Sequence, residues 1–130
     1  MGVSRMLAYY STTVLGSPAL AAETAIVTTP GFTPPSDTDA VLLFGWIAFT
    51  VGTSGVSARA RIRQGSGLTG TTVGDTGLTT VVAANLVTIP LQAVDTPGIV
   101  NNFQYTLSLI IGSGAAASTV SQAALFALCL

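Results

Sequence analysis

Histidine and lysine are absent from the 130 residues, and cysteine occurs once. Without histidine there is no Ser-His-Asp triad and no His-ligated zinc. Without lysine there is no Schiff base and no phosphate-loop lysine. Charge of either sign is scarce: 7% of the residues, against about 25% in an ordinary soluble domain. The bases are Arg5, Arg59, Arg61 and Arg63; the acids are Glu23, Asp37, Asp39, Asp75 and Asp95, for a net charge of −1. With no basic excess, a direct nucleic-acid partner is not expected. Cys129 has no second cysteine to pair with and lies in an apolar run, so it is expected as a buried free thiol. No stretch reaches the 18 or more apolar residues of a membrane helix, and a membrane barrel needs more strands than this length allows. The inventory points away from enzymes, cofactors and metals.

What the chain does have is apolar bulk. Hydrophobic residues make up 49% of it, enough for one sizeable core and one domain. With so few charges, Thr, Ser, Gly and Ala must cover the outside, and low surface charge promotes association. A homo-oligomer in which sister subunits cover part of the exterior is therefore expected. The first 22 residues carry Met6-Leu7-Ala8-Tyr9-Tyr10 and an Ala19-Leu20-Ala21 that resembles a signal-peptidase site. Because Ser11-Thr12-Thr13 interrupts the apolar stretch, residues 1–22 are expected as a retained N-terminal arm or first strand, with Tyr9 and Tyr10 free for contacts. Residues 23–130 then form the domain.

The punctuation along that domain is that of a β protein. Gly, Pro, Ser, Thr and Asp clusters recur at short intervals, as in sandwiches and barrels. Strands are predicted over 24–29, 40–51, 57–64, 78–83, 86–92, 102–111 and 119–130, the last of which also reads as a possible helix. In 40–51, Leu42, Phe44 and Trp46 share one face and Val41, Leu43, Ile47 and Phe49 the other, so the strand is central or covered by a neighbour. Gly45 suggests a bend or bulge, and Pro90 an edge or bulged position. Residues 103, 105, 107, 109 and 111 point inward. The fold class that follows is all-β: an antiparallel β-sandwich, with a jelly roll as the favoured topology and an extended N-terminal arm.

Motifs that would name a reaction fail on context. Gly65-Ser66-Gly67-Leu68-Thr69-Gly70 matches G-x-G-x-x-G, but no helix follows to hold a pyrophosphate, so a hairpin loop is expected. Asp75-Thr76-Gly77 matches the Asp-Thr-Gly of aspartic proteases, where two carboxylates share a proton in a homodimer. Gly74 stands where an apolar strand residue belongs, so a turn is the simpler reading. Asp37-Thr38-Asp39, with Glu23 or Asp95, offers hard oxygen ligands for calcium but lacks the glycine and distal glutamate of a calcium loop. A turn before residue 40 is expected there.

The most informative charges are Arg59, Arg61 and Arg63. Alternate residues of a strand lie about 6.5–7 Å apart on one face, so the three form a ridge of like charge that repels itself. It needs acids from this chain (Asp37, Asp39, Asp75 or Asp95), from a partner subunit, or from phosphates. Arginine suits an interface because it pairs bidentately. Replacing all three by Ser is expected to weaken assembly more than folding.

The segment Arg61-Ile62-Arg63-Gln64-Gly65-Ser66-Gly67-Leu68-Thr69-Gly70-Thr71-Thr72-Val73-Gly74, the later Tyr105-Thr106-Leu107-Ser108-Leu109 and the Ser/Ala-rich final strand 117–130 resemble small phage virion proteins of the capsid decoration or cement type. The likeness spans roughly residues 24–130. It implies a jelly roll or related sandwich, a homotrimer or similar cluster seated on a major capsid protein, and an arm reaching neighbours. It implies placement on the capsid exterior after assembly in a host cytoplasm, and brings no catalytic residues. Two other classes stay open: a glycan- or ligand-binding sandwich (or a fibre or tail component), and, remotely, an Asp75 protease.

Overall fold

The computed structural model describes residues 5–12, 22–52, 56–81, 86–98, 100–112 and 118–130, and of 5–12 and 118 the backbone alone. Nine strands are built from them: β1 (Arg5–Thr12), β2 (Glu23–Thr28), β3 (Val41–Val51), β4 (Val56–Gln64), β5 (Thr72–Asp75), β6 (Thr79–Val81), β7 (Val87–Asp95), β8 (Tyr105–Ile111) and β9 (Ser118–Cys129). They pair antiparallel throughout. The first sheet runs β1-β9-β3-β7 and the second β2-β8-β4-β5, with β6 continuing along the edge of β4 beyond β5. Apart from β4, β5 and β6, which stay together in the second sheet, successive strands cross from one sheet to the other, and the last strand returns between the first and the third. That is the double Greek key of a jelly roll.

Alternation explains the core. In β3, Val41, Leu43, Ile47 and Phe49 are fully buried against Ala58, Ala60 and Ile62 of β4 and Leu107, Leu109 and Ile111 of β8. β9 adds Val120, Ala123, Leu125 and Ala127. Its inward row changes parity because two of its residues oppose one of β3 near Ala48, a bulge in which the Ser121 hydroxyl donates to the Ala48 carbonyl at 3.1 Å. The final segment is thus a strand, not a helix. Cys129 is buried and free, as its apolar surroundings predict, and burial raises its thiol pKa.

Local expectations fare differently. Gly45 marks no bulge, since β3 keeps unbroken register with β7 across it. Its missing Cβ makes room for Leu107 and Leu125, whose methyls would lie 3.3–3.4 Å from one. The strand expected over 78–83 is described only as the short β6. That expected over 86–92 runs on to Asp95, with Pro90 on an edge strand, where its missing N–H breaks no ladder. β5 arises between the loop over 65–70 and the turn at Asp75-Thr76-Gly77, where the sequence predicts no strand, because β4 supplies a ready edge. Residues 5–12 form β1, paired along β9 and so part of the first sheet itself; Tyr9 lies opposite Phe126 and Tyr10 opposite Leu125. The side chains of Tyr9 and Tyr10 lie outside the described residues.

One end of the sandwich is closed by a polar lock around Tyr105. Its ring packs edge-on against Phe103 at 5.0 Å and beside Phe32 at 6.1 Å, and the two phenylalanines are bridged backbone to backbone. Its hydroxyl donates to Asp95 at 2.8 Å, and Asp95 also accepts from the Gln64 amide at 2.9 Å and the Thr96 N–H at 2.9 Å. Burial, together with the neighbouring carboxylate, pushes the phenol pKa well above its usual value. Asp95 is 8% exposed, so these donors replace the water it lost.

Candidate interaction surfaces

The two outer faces differ in chemistry. That of the second sheet carries the arginine row, since Ala58, Ala60 and Ile62 take the inward positions of β4 and leave Arg59, Arg61 and Arg63 outward. Its acids come from this chain. Arg59 clamps Asp75 through Nε at 2.7 Å and Nη2 at 2.6 Å. Arg61 bridges, donating to Asp75 at 3.0 Å and to Glu23 at 3.1 Å. Arg63 grips Glu23 through Nε at 2.6 Å and Nη2 at 2.8 Å, and the Ser108 hydroxyl adds a bond at 2.7 Å. β5 delivers Asp75 by pairing it with Arg61, while β2 delivers Glu23 by pairing along β8.

Of the acids expected opposite the ridge, only Asp75 is there. Asp95 is taken by Tyr105, and Asp37 and Asp39 precede β3, where the Asp39 N–H reaches the Leu130 carbonyl at 2.8 Å. Glu23, weighed in the sequence only as a calcium ligand, is the second partner. The hydrogen bonds from Arg63 lower its pKa from 4.5 to about 2 against the opposing effect of burial, with Ser108 and Arg61 adding to the fall. Bonds from Arg59 lower that of Asp75 still further below its ordinary value, again against burial, with the Gly77 N–H and Arg61 contributing. A carboxylate held ionised between two guanidinium groups is the opposite of a dyad that shares a proton, so Asp75 is unsuited to aspartic-protease chemistry. Its Asp-Thr-Gly is a turn: Gly77 has φ +70° and donates its N–H to Asp75 at 2.8 Å.

The glycine-rich loop over 65–70 lies on the same face, joining strand to strand. Thr106 Oγ1 accepts from the Gly67 N–H at 3.1 Å and donates to the Gly65 carbonyl at 2.7 Å, while Arg63 caps the Gly70 carbonyl at 2.9 Å. Gly65 has φ +89°, and a Cβ on Gly70 would overlap the Gln64 carbonyl. Gly65 and Gly70 thus serve the loop's own folding, and the N–H groups of Gly65 and Gly67 are taken by Gln104 and Thr106. Among the described residues no cluster of three or more His, Cys, Asp or Glu is placed to hold a metal, and no helix is long and apolar enough to cross a membrane.

The outer face of the first sheet carries no charge among its described side chains. Leu42 stands between Val94 of β7 and Leu128 of β9, Phe44 between Gln92 and Phe126, and Trp46 between Pro90 and Ala124. Leu130, whose N–H bonds the Ala40 carbonyl at 2.8 Å, continues the row of Leu128 and Phe126. Val94 is 60% exposed, Leu130 44% and Phe44 36%. The apolar second face of β3, legible in the sequence, is this surface.

No protein-family model matches the chain, and no curated protein does. Solved structures do. A structure of infectious bursal disease virus, Gx strain, superposes with a TM-score of 0.64 at 14% identity, over 97% of this chain and 33% of that one. The VP2 subviral particle of the same virus gives 0.60 at 13%, over 95% and 32%. Its derived T=1 particles give 0.64 at 13%, over 95% and 31%. The likeness is one of fold. This chain shares its β-sandwich architecture with part of those proteins, and it spans about a third of the length of the chains it matches.

Proposed function

We propose that the protein is a non-enzymatic structural component of a virion, decorating or cementing a capsid through contacts with sister copies and a major capsid protein. The observation that carries this reading is the β-sandwich shared over nearly the whole chain with part of a protein of virus particles. Two features support it. The described acids of the second sheet are consumed by ion pairs within the chain, and the first sheet offers an uncharged, partly exposed face, such as the centres of subunit contacts favour. The resemblance to decoration proteins implies a homotrimer or similar cluster of copies on the outer surface of a phage capsid, assembled in the host cytoplasm.

Particles purified from the native source test this. Antibody against the chain is expected to label their exterior, with quantitative mass spectrometry giving a fixed ratio to the main shell protein. A chain absent from such particles refutes the role. A second reading, a glycan-binding module, draws on Phe44 and Trp46 standing two residues apart on an outer face, and glycan capture by the purified monomer would decide for it.

A further inference from the structure

We infer that the outer face of the first sheet is the surface through which two copies of this chain pack, sheet against sheet about a two-fold axis. Three observations lead there. The first is the location of exposed apolar bulk: among the described residues the exposed large hydrophobic side chains are Phe44, Leu78, Leu86, Val94 and Leu130, and three of them stand on this one face, which is about 19 Å wide if its strands keep the usual spacing near 4.8 Å. Exposed apolar side chains gathered into one patch mark an interaction site, whereas scattered ones do not.

The second is charge. Arg59, Arg61, Arg63, Glu23 and Asp75 all belong to the other sheet, and no described side chain of β3, β7 or β9 that points outward is ionised. A charged partner would bury its ions here without counterions, which is costly. A second copy presents the same uncharged surface, and a two-fold contact needs only that the patch complement itself. The guanidinium network of a sister copy, already paired, fits less well.

The third is size. A sheet of this width, with β3 running 11 residues, covers roughly 700 Å² per copy. Two copies then bury about 1,400 Å² together, within the range of stable specific interfaces. The layout has the anatomy of one. Leu42, Phe44, Trp46, Val94, Phe126 and Leu128 form an apolar centre, and Thr88 and Gln122, beside Ala48, form a polar margin. Sheets packed face to face lie about 10 Å apart, a spacing that leucine and phenylalanine side chains fill.

The inference rests on the reading of the chain as an assembling structural protein, but the two fail separately. A dimer absent from purified particles overturns that role and leaves the face standing. A chain present in particles yet monomeric in solution overturns the face and leaves the role.

The test uses the full-length chain in sedimentation velocity from 1 to 100 μM, in 0.1 M and 1 M NaCl. The wild type is expected to sediment at twice the chain mass in both salts, because an apolar contact is not screened. Phe44→Asp and Val94→Asp, at positions already exposed enough to leave the fold intact by circular dichroism, are expected to weaken the dimer at least tenfold. Arg61→Ser is expected to leave it unchanged. Trp46, the sole tryptophan, reports directly: its emission should shift to the red on dilution of the wild type and stay constant in Phe44→Asp. A wild type that is monomeric at 100 μM, a species of odd copy number, or Phe44→Asp and Val94→Asp proteins as dimeric as the wild type would each overturn the inference.

Discussion

Replacing Glu23 by Gln removes one charge from the ion-pair network while keeping the shape of the side chain. In the folded chain Glu23 accepts from Arg63, Arg61 and Ser108 and is 13% exposed. Its pKa falls from 4.5 to about 2, chiefly through Arg63. A fall of that size corresponds to about 3 kcal/mol if taken whole. The guanidinium groups it meets are 17–22% exposed, so solvent screening brings the expected loss to about 1–2 kcal/mol. For a chain of this length that is roughly 4–8 °C in melting temperature. Because the folded pKa lies below the unfolded one, the stabilisation is complete above pH 4.5 and disappears as the pH falls towards 2. Asp75 titrates lower still and is common to both proteins, so it does not mimic the effect. Urea unfolding at pH 7, 5, 4, 3 and 2 should show the wild type ahead of Glu23→Gln at neutral pH and the gap closing in acid. Equal stabilities at pH 7, or parallel curves down to pH 2, would refute the assignment of this carboxylate to the arginines.

Tyr105→Phe deprives the buried Asp95 of one donor while keeping the ring against Phe32 and Phe103, and should cost about 1.5–3 kcal/mol in urea unfolding with the strand content unchanged. Gly70→Ala drives a methyl into the Gln64 carbonyl, and is expected to destabilise by more than about 2 kcal/mol and to speed proteolysis of the loop over 65–70. The sequence predicts that the triple change Arg59→Ser, Arg61→Ser and Arg63→Ser weakens assembly more than folding; with both acids supplied from this chain, it instead leaves Glu23 and Asp75 without cations, and should lower the melting temperature by several degrees while sedimentation stays that of the wild type. A shift in association state with unchanged stability would instead return the row to the role of an intermolecular contact.

Period-two patterning made much of the sandwich legible. The inward rows of β3, β4 and β8 follow directly from Val41 to Phe49, Ala58 to Ile62 and Tyr105 to Ile111, because a strand with one buried face must alternate. Pro90 announced an edge for the same local reason: its backbone lacks a donor. β5 left no such trace. Thr72-Val73-Gly74-Asp75 has neither alternation nor apolar bulk, and it is a strand only because β4 offers it a ladder. Gly45 was misleading for a related reason, since its role is set by Leu107 and Leu125, which lie far away along the chain.

By itself, the amino-acid order determined that this is an antiparallel β protein with few chemically active groups, a ridge of like charge on β4 and a β3 apolar on both faces, since each depends on neighbours within a few residues. Tertiary structure alone decided which acids meet the arginines, placing Glu23 beside Arg63 across 40 positions of chain, and which side of β3 stays outside. Strand order and register carry that information, and they emerge only when the two sheets close on one another.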